Sequence, residues 1–440
     1  MNKSNDITEK IDVIIVGTGV AGLFCALKLP DHLNVKMITK DQVENSDSYL
    51  AQGGIATLRN KNDFKAYFED TLKAGHYMNS TDSVKVMIES SPQIISKLLK
   101  YGVEFEQNTE GFTYTKEGGH SRARILHHKD ITGQEITSKL LLNVKKRKNI
   151  KIDEYTTMLD IICENNVCKG IVVEKNHKIE AMYAKTIIFA TGGIGGLFHH
   201  STNFRHITGD ALAIAIKHEI ELQDMNYIQI HPTSFYAEDD SRSFLISEAV
   251  RGEGAVLLNE NKERFVDELL PRDVVTAAIK KEMDLYQKEY VYLSLQHIDK
   301  DKIKKRFPTI YEHCLKAGYD LTSECIPVTP AQHYFMGGIK VNLCGETSMS
   351  NLFAIGETSC NGVHGRNRLG SNSLLESLVF SERAAMRISE RIDAIEQENV
   401  DIDLRTYYDK DFQTEYKKII FNKIKEKDHE FYKQWCSNES

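Results

Sequence analysis

Ile11 to Val16 is an unbroken apolar run that ends in Gly17-Thr18-Gly19-Val20-Ala21-Gly22, and no other part of the chain restricts its fold so strongly. The run has the length of a strand buried on both faces. Beyond the glycines, Leu23, Ala26 and Leu27 recur at helical spacing until Pro30, and Val35-Lys36-Met37-Ile38 supplies a second strand. A G-x-G-x-x-G hexapeptide alone is weak, but between strand and helix in a unit of about 30 residues it predicts a dinucleotide fold. Gly17 permits the turn, Gly19 lets a pyrophosphate approach the backbone, and Gly22 allows close helix–strand packing. The helix start adds free amides and the positive end of its dipole. A tight turn without ligand is the alternative. Where the second strand ends, dinucleotide folds usually offer an acid to the ribose, whereas this chain has Thr39-Lys40. A cation there argues against ordinary NAD and leaves NADP or a flavin dinucleotide.

The 440 residues, 41% of them hydrophobic, suffice for two or three domains. With 56 Lys and Arg against 63 Asp and Glu the net charge is -7, which gives no general attraction for nucleic acid or anionic lipid. The stretch before Ile11 is polar and lacks a secretory core, and no apolar run approaches a membrane span. A cytoplasmic protein with no nucleic-acid or membrane partner is expected, a peripheral subunit on a membrane protein being the alternative. The eight cysteines contain no C-x-x-C pair, so reduced structural thiols are expected rather than an Fe–S, zinc or dithiol site. His120, His127, His128, His199 and His200 read as structural, with no carboxylate at ligand spacing to complete a metal site.

Ser80 to Gly102 predicts one long or two abutting helices joined at Pro92. From about 150 to 190 short strands alternate, with Asn165-Asn166 as a hairpin turn. The strand Thr186 to Ala190 then runs into Thr191-Gly192-Gly193, a second strand-to-glycine junction. Residues 225–334, with a helix over Val274 to Tyr286, read as an inserted domain. The strand Leu352 to Ile355 leads to Gly356-Glu357, and the charged final segment reads as a helical tail.

Ser48-Tyr49-Leu50-Ala51-Gln52-Gly53-Gly54-Ile55-Ala56 resembles the flavin loop of the succinate dehydrogenase/fumarate reductase flavoprotein family. The likeness continues, in the family's order, through Ala190-Thr191-Gly192-Gly193, His231-Pro232-Thr233, Glu248 to Gly254, Pro271-Arg272-Asp273, His333-Tyr334, Gly337-Gly338 and Ser371 to Glu376. It implies an α/β chain: a Rossmann-like FAD-binding domain over 1–224 and 335–388, an inserted α+β capping domain over 225–334, and a short helical C-terminal tail over 389–440. It also implies FAD contacts at Gly17, Thr18, Gly19, Val20, Ala21, Gly22, Lys40, the segment Asp47, Ser48, Tyr49, Leu50, Ala51, Gln52, Gly53, Gly54, and at Thr191, Gly192, Asp210, Glu357, Ser373 and Leu374. Members that bind FAD covalently use a histidine whose matching position here is Asp47, so a non-covalent flavin is implied. Glu117-Gly118-Gly119-His120-Ser121 and Val363-His364-Gly365-Arg366-Asn367-Arg368 resemble the substrate loops of the amino-acid-oxidising branch. That branch implies oxidation of L-aspartate to iminoaspartate, reoxidation by oxygen or fumarate, and delivery to quinolinate synthase in NAD biosynthesis. A soluble fumarate reductase or succinate oxidase is the rival within the family. The helical region after Glu376 is shorter than the branch's usual one.

An amino dicarboxylate needs at least two cationic grips and one anionic one. Arg368 with His231 and His333 forms a plausible carboxylate clamp, and Glu117 would hold the ammonium. A succinate enzyme has nothing for such a carboxylate to pair with. Arg272 is the family's proton-transfer residue, and Gln229, Ser247 and Glu248 are further candidates for orienting substrate and base. On residues alone each has a second reading. His231 and His333 could be hydrogen-bonded structural histidines, Arg272 a salt-bridged helix start, and Glu117 a solvated loop residue.

Overall fold

In the computed structural model residues 10–238 and 242–436 are described. The polar stretch that lacks a signal core falls almost wholly outside them. Strand β1 (Val13–Val16), helix α1 (Val20–Lys28) and β2 (Val35–Ile38) open the chain. Helices α2 (Thr81–Lys100) and α3 (Thr132–Lys145) precede β3 (Ile150–Asp153). Strands β4 (Thr156–Glu164), β5 (Val167–Lys175) and β6 (Lys178–Tyr183) follow, then β7 (Thr186–Phe189) and α4 (Asp210–Lys217). Next come β8 (Ile228–Phe235), α5 (Glu248–Gly252), β9 (Val256–Leu258), α6 (Arg272–Tyr286), β10 (Val291–Ser294), α7 (Pro308–Lys316) and β11 (Ile326–Phe335). Strand β12 (Leu352–Ala354) and helices α8 (Asn372–Arg391) and α9 (Phe412–Lys427) complete the main elements.

The central sheet is parallel, in the order β12-β7-β1-β2-β3. Its middle strand shows why the opening run is apolar throughout. Val13 and Ile15 enter the core shared with α1, α2, α3 and α8, while Ile14 and Val16 enter the opposite core, beneath β4–β6, α4 and α9. The expected hairpin forms, Asn165 and Asn166 both adopting positive φ, 52° and 58°, as a two-residue turn of matching twist requires. Helix α2 is single. Pro92 has no N–H for the Ile88 carbonyl, and the Ser91 hydroxyl donates to that oxygen at 2.7 Å instead, so the helix continues.

Strands β8, β11, β10 and β9 form a separate antiparallel sheet with its own apolar core, drawn from residues between Phe235 and Val328. This inserted unit, the cap, is pinned to the first body from below. Helix α7 begins with Phe307 and Pro308 and has no side-chain cap of its own. Asp130, outside the cap, accepts from the Ile310 amide at 2.9 Å, and Arg306 donates to the Lys129 carbonyl. In the tail, α9 buries Tyr416, Ile420, Phe421 and Ile424 against the central body. Among the described residues no helix is long and apolar enough to cross a membrane.

Candidate active site

The carboxyl ends of the parallel strands meet in one crevice, the position where such sheets bind ligands. Gly17, Lys40, Thr191 and Glu357 all line it, in a cavity of about 1650 Å³ including its mouth. Gly17 has φ +115°, and a Cβ there would lie 2.1 Å from the Ala190 carbonyl oxygen. Gly22 packs behind it, where a Cβ would lie 2.2 Å from the Gly17 oxygen. Gly19 N-caps α1 without offering a side chain to its amides, which leaves first-turn donors for an anion. Gly17→Ala is accordingly expected to yield protein without bound flavin. Flavin absorbance per mole of purified, folded protein checks this, and full retention would remove the close approach from the argument.

Lys40 is not a free phosphate receptor. Its ammonium pairs with Asp210 at 2.5 Å and donates to Thr208 Oγ1 at 2.7 Å and the His206 carbonyl at 3.1 Å. This removes the main ground for NADP. Of the expected cofactor residues, Gly17 to Ala21, Lys40, Asp47, Ser48, Leu50 to Gly54, Thr191, Gly192, Asp210, Glu357, Ser373 and Leu374 line the cavity. Gly22 and Tyr49 do not: the first serves packing, and the second is a half-buried turn residue whose amide donates to the Ser46 carbonyl. Several buried polar atoms on the lining, Ser46 Oγ, Asp47 Oδ2, Asn203 Oδ1 and Arg368 Nε, have no hydrogen-bond partner among the described residues. An elongated cavity with a glycine cradle, a helix mouth and unmet hydrogen bonds fits a polar dinucleotide.

Burial raises the Asp47 carboxyl to about 7 and, with Asp47 beside it, Glu357 to about 8; burial alone takes Glu376 to about 7. These groups hold protons more tightly folded than unfolded. Their contribution to stability is full below the ordinary carboxylate range and is lost as pH rises through the folded values. Flavin-free protein should melt lower at about pH 9 than at about pH 6, and Glu357→Gln should recover part of the loss, about 1 °C per kcal/mol for a chain of this length. Equal losses in both proteins would mean that Glu357 is already ionised.

At the cap end, the catalytic candidates come together. Arg272, the first residue of α6, donates from Nε to Glu248 Oε2 at 2.7 Å and from Nη1 to Gln229 Oε1 at 2.8 Å. It is thus both a salt-bridged helix start and a wall of the cavity. Gln229 lies behind the lining and donates to Asn367 Oδ1 and the Arg368 carbonyl, both at 2.9 Å. Ser247 and Glu248 line the cavity at the start of α5. Glu117 is buried, not solvated: Oε2 accepts from Ser371 at 2.8 Å, while Oε1 has no partner. Burial, reinforced by Glu248, raises its pKa. For Glu248 burial acts the same way, but Arg272 and Arg251 outweigh it and hold the carboxylate ionised.

His231 and His333 stack edge to face with ring centroids 5.0 Å apart. Burial, with Arg272 next, lowers both pKa values well below the histidine norm, so both rings are neutral donors. His231 Nδ1 lies 3.1 Å from the Thr233 carbonyl and 3.2 Å from the Thr233 amide, so Thr233 anchors this side of the ring. His333 Nδ1 lies 2.7 Å from Thr202 Oγ1. Arg368 lies over the Tyr334 ring at 4.4 Å and donates to Ser373 at 3.0 Å. Burial and Arg272 lower its pKa to about 10, still a cation at neutral pH. His120 bonds the Gly370 carbonyl at 3.0 Å and faces Arg124, which Asp63 and Asp70 grip.

Sequence reasoning passed over Thr202, Asn203 and Arg242 and met Tyr334 and Ser371 only as parts of motifs, with no role; all five are on the lining. Arg251 was missed as well, though its spacing of three from Glu248 puts both on one helix face. It is 1% exposed, and its Nε and Nη2 have no partner.

The crevice and its cap define a class, the flavoproteins that close a second domain over a dinucleotide fold. The profile of the family described as FAD binding domain matches residues 12–374. E. coli quinol fumarate reductase superposes with a TM-score of 0.83 at 29% identity, covering 90% of this chain and 72% of that chain. Curated proteins named L-aspartate oxidase are 54% identical over 386 residues in Clostridium perfringens and 52% identical over 388 residues in Clostridium acetobutylicum. The matches cover 88% of this chain in both cases, and 88% and 89% of the relatives. The chain belongs to the L-aspartate oxidase family.

Proposed function

We propose that this chain oxidises L-aspartate to iminoaspartate with non-covalently held FAD. One observation carries the reading. A single cavity sets the cations Arg272 and Arg368 and two neutral imidazoles beside a buried carboxylate, Glu117, that has a free oxygen. Two negative charges and one positive charge on a small molecule complement that set. The names of relatives 54% and 52% identical support it.

Arg368 and Arg272 grip the two carboxylates, with neutral His231 and His333 donating further hydrogen bonds. Glu117, ionised by the incoming ammonium, fixes the amino end and so selects an amino acid over succinate. FAD, when bound, supplies a two-electron acceptor for hydride. Arg272 relays the accompanying proton, as the family resemblance implies, passing one of its own on as it gains one so that it remains a guanidinium, and Glu248 at 2.7 Å keeps it aligned. Gln229 holds Arg272 and Arg368 in register through one amide. Asp47 stands where covalent members place a histidine, which supports a dissociable flavin. The cofactor residues of the crevice belong on this reading to 1–224 and 335–388, the substrate cap to 225–334 and the tail to 389–440. Oxygen or fumarate reoxidises the enzyme in the cytoplasm, and the product goes to quinolinate synthase for NAD biosynthesis.

The likeness to quinol fumarate reductase supports a second reading, fumarate reduction or succinate oxidation in the same cavity. Anaerobic addition of L-aspartate to the purified yellow protein separates them: the flavin absorbance should bleach with aspartate and not with glutamate. A spectrum unchanged by aspartate and bleached by succinate overturns the first reading.

A further inference from the structure

Cys163, near the end of β4, lies apart from the cavity and is partly exposed. Its Sγ is 3.5 Å from His218 Nδ1, and His218 Nε2 is 2.7 Å from Asp160 Oδ1. The Asp160 carboxylate accepts a hydrogen bond from Nε2–H, so Nδ1 faces the thiol as an acceptor. A thiol, a base and an orienting acid in hydrogen-bonded series is the arrangement that activates a nucleophile. Across the Asn165-Asn166 turn, the residue paired with Cys163 is Cys168. Facing positions on antiparallel strands hold Cα atoms about 4.5–5.5 Å apart on the same side of the sheet. A disulfide spans roughly 4.4–6.8 Å.

We propose that Cys163 is a peroxide-reactive thiol and Cys168 its resolving partner. Burial and Asp160 raise the Cys163 pKa, so the resting group is a thiol and needs its base. His218 takes the thiol proton as sulfur attacks one peroxide oxygen. The S–O bond forms, the O–O bond breaks, sulfur gives up two electrons, and the departing hydroxide takes the proton from His218 to leave as water. The Cys168 sulfur then attacks the sulfenic acid: an S–S bond forms, the S–O bond breaks, and the departing hydroxide takes the Cys168 thiol proton to leave as a second water. Cys168 is buried beside its partner, which protects it from direct oxidation and reserves it for the second step. His218 directly follows α4, whose first residue, Asp210, pairs with Lys40 in the flavin crevice.

The test adds hydrogen peroxide directly to the reduced, flavin-loaded full chain, so its outcome does not depend on the substrate assignment. Alkylation and peptide mass mapping should show a Cys163–Cys168 disulfide before any change at Cys325 or Cys344, the other partly exposed thiols. In Cys168→Ser a dione probe should trap sulfenic acid on Cys163. His218→Gln should slow Cys163 oxidation at least about ten-fold, the lower part of what a positioned base supplies. Oxidation of Cys163 no faster than that of Cys344, or absence of both the disulfide and the trapped sulfenic acid, overturns the proposal.

Discussion

Arg272→Leu is expected to stay yellow and to lose reduction by L-aspartate by at least about a thousand-fold, within the range set by loss of a positioned proton-transfer group. The guanidinium meets Glu248 and Gln229 and lines the cavity at the cap end, whereas the glycine cradle and the Lys40–Asp210 pair lie at the carboxyl ends of β1 and β2. Cofactor retention and turnover should therefore separate. Removing Arg272 also strands the buried Glu248 carboxylate, and breaking such a pair costs about 3–5 kcal/mol. Arg272→Lys restores a charge without the two-pronged geometry, so it should recover stability and little rate. Bound flavin per protein, Tm and anaerobic bleaching measure the three effects. Joint loss of flavin and activity in Arg272→Leu would make the residue structural.

Glu117→Gln is expected to cut kcat/KM for L-aspartate by about a hundred- to a thousand-fold while changing turnover of succinate or fumarate by no more than a few-fold. A charged hydrogen bond in a dry site is worth more than a neutral one, and the glutamine keeps the acceptor for Ser371. The pH profile adds a second signature. The Glu117 pKa is raised in the free protein by burial and Glu248, and only the ionised form pairs with ammonium. In the wild type, kcat/KM should fall as pH drops through a value above the ordinary carboxylate range. That acid limb should vanish in Glu117→Gln. Equal losses on aspartate and succinate would end the specificity role.

Much of this was legible in the sequence because the chemistry is local. The glycine loop is a steric demand on adjacent residues, since a Cβ at Gly17 would fall 2.1 Å and one at Gly22 2.2 Å from a backbone oxygen. The apolar strands and the Asn-Asn turn follow from period and φ. What the order of residues hid was assembly at a distance. Glu117 read equally as a solvated loop residue, and only burial beside Ser371 and Glu248 makes it part of a site. Lys40 left NADP open as an alternative until its ammonium was found paired with Asp210, the first residue of α4. The absence of C-x-x-C says nothing of cysteines that strand register makes neighbours, as it does Cys163 and Cys168. Thr202, Asn203 and Arg242 come from irregular loops, where no periodicity marks a side chain for the cavity.

The carboxylate of Asp130 gives the cap a latch made from helix chemistry. Swinging α7 away from residues 129–130 would strip the Ile310 amide of its acceptor and release the Arg306 contact in the same movement. A helix whose first turn is completed by another part of the chain unlocks only by becoming a worse helix. Any parting of α7 from Asp130 would cost about 1 kcal/mol for the capping bond alone.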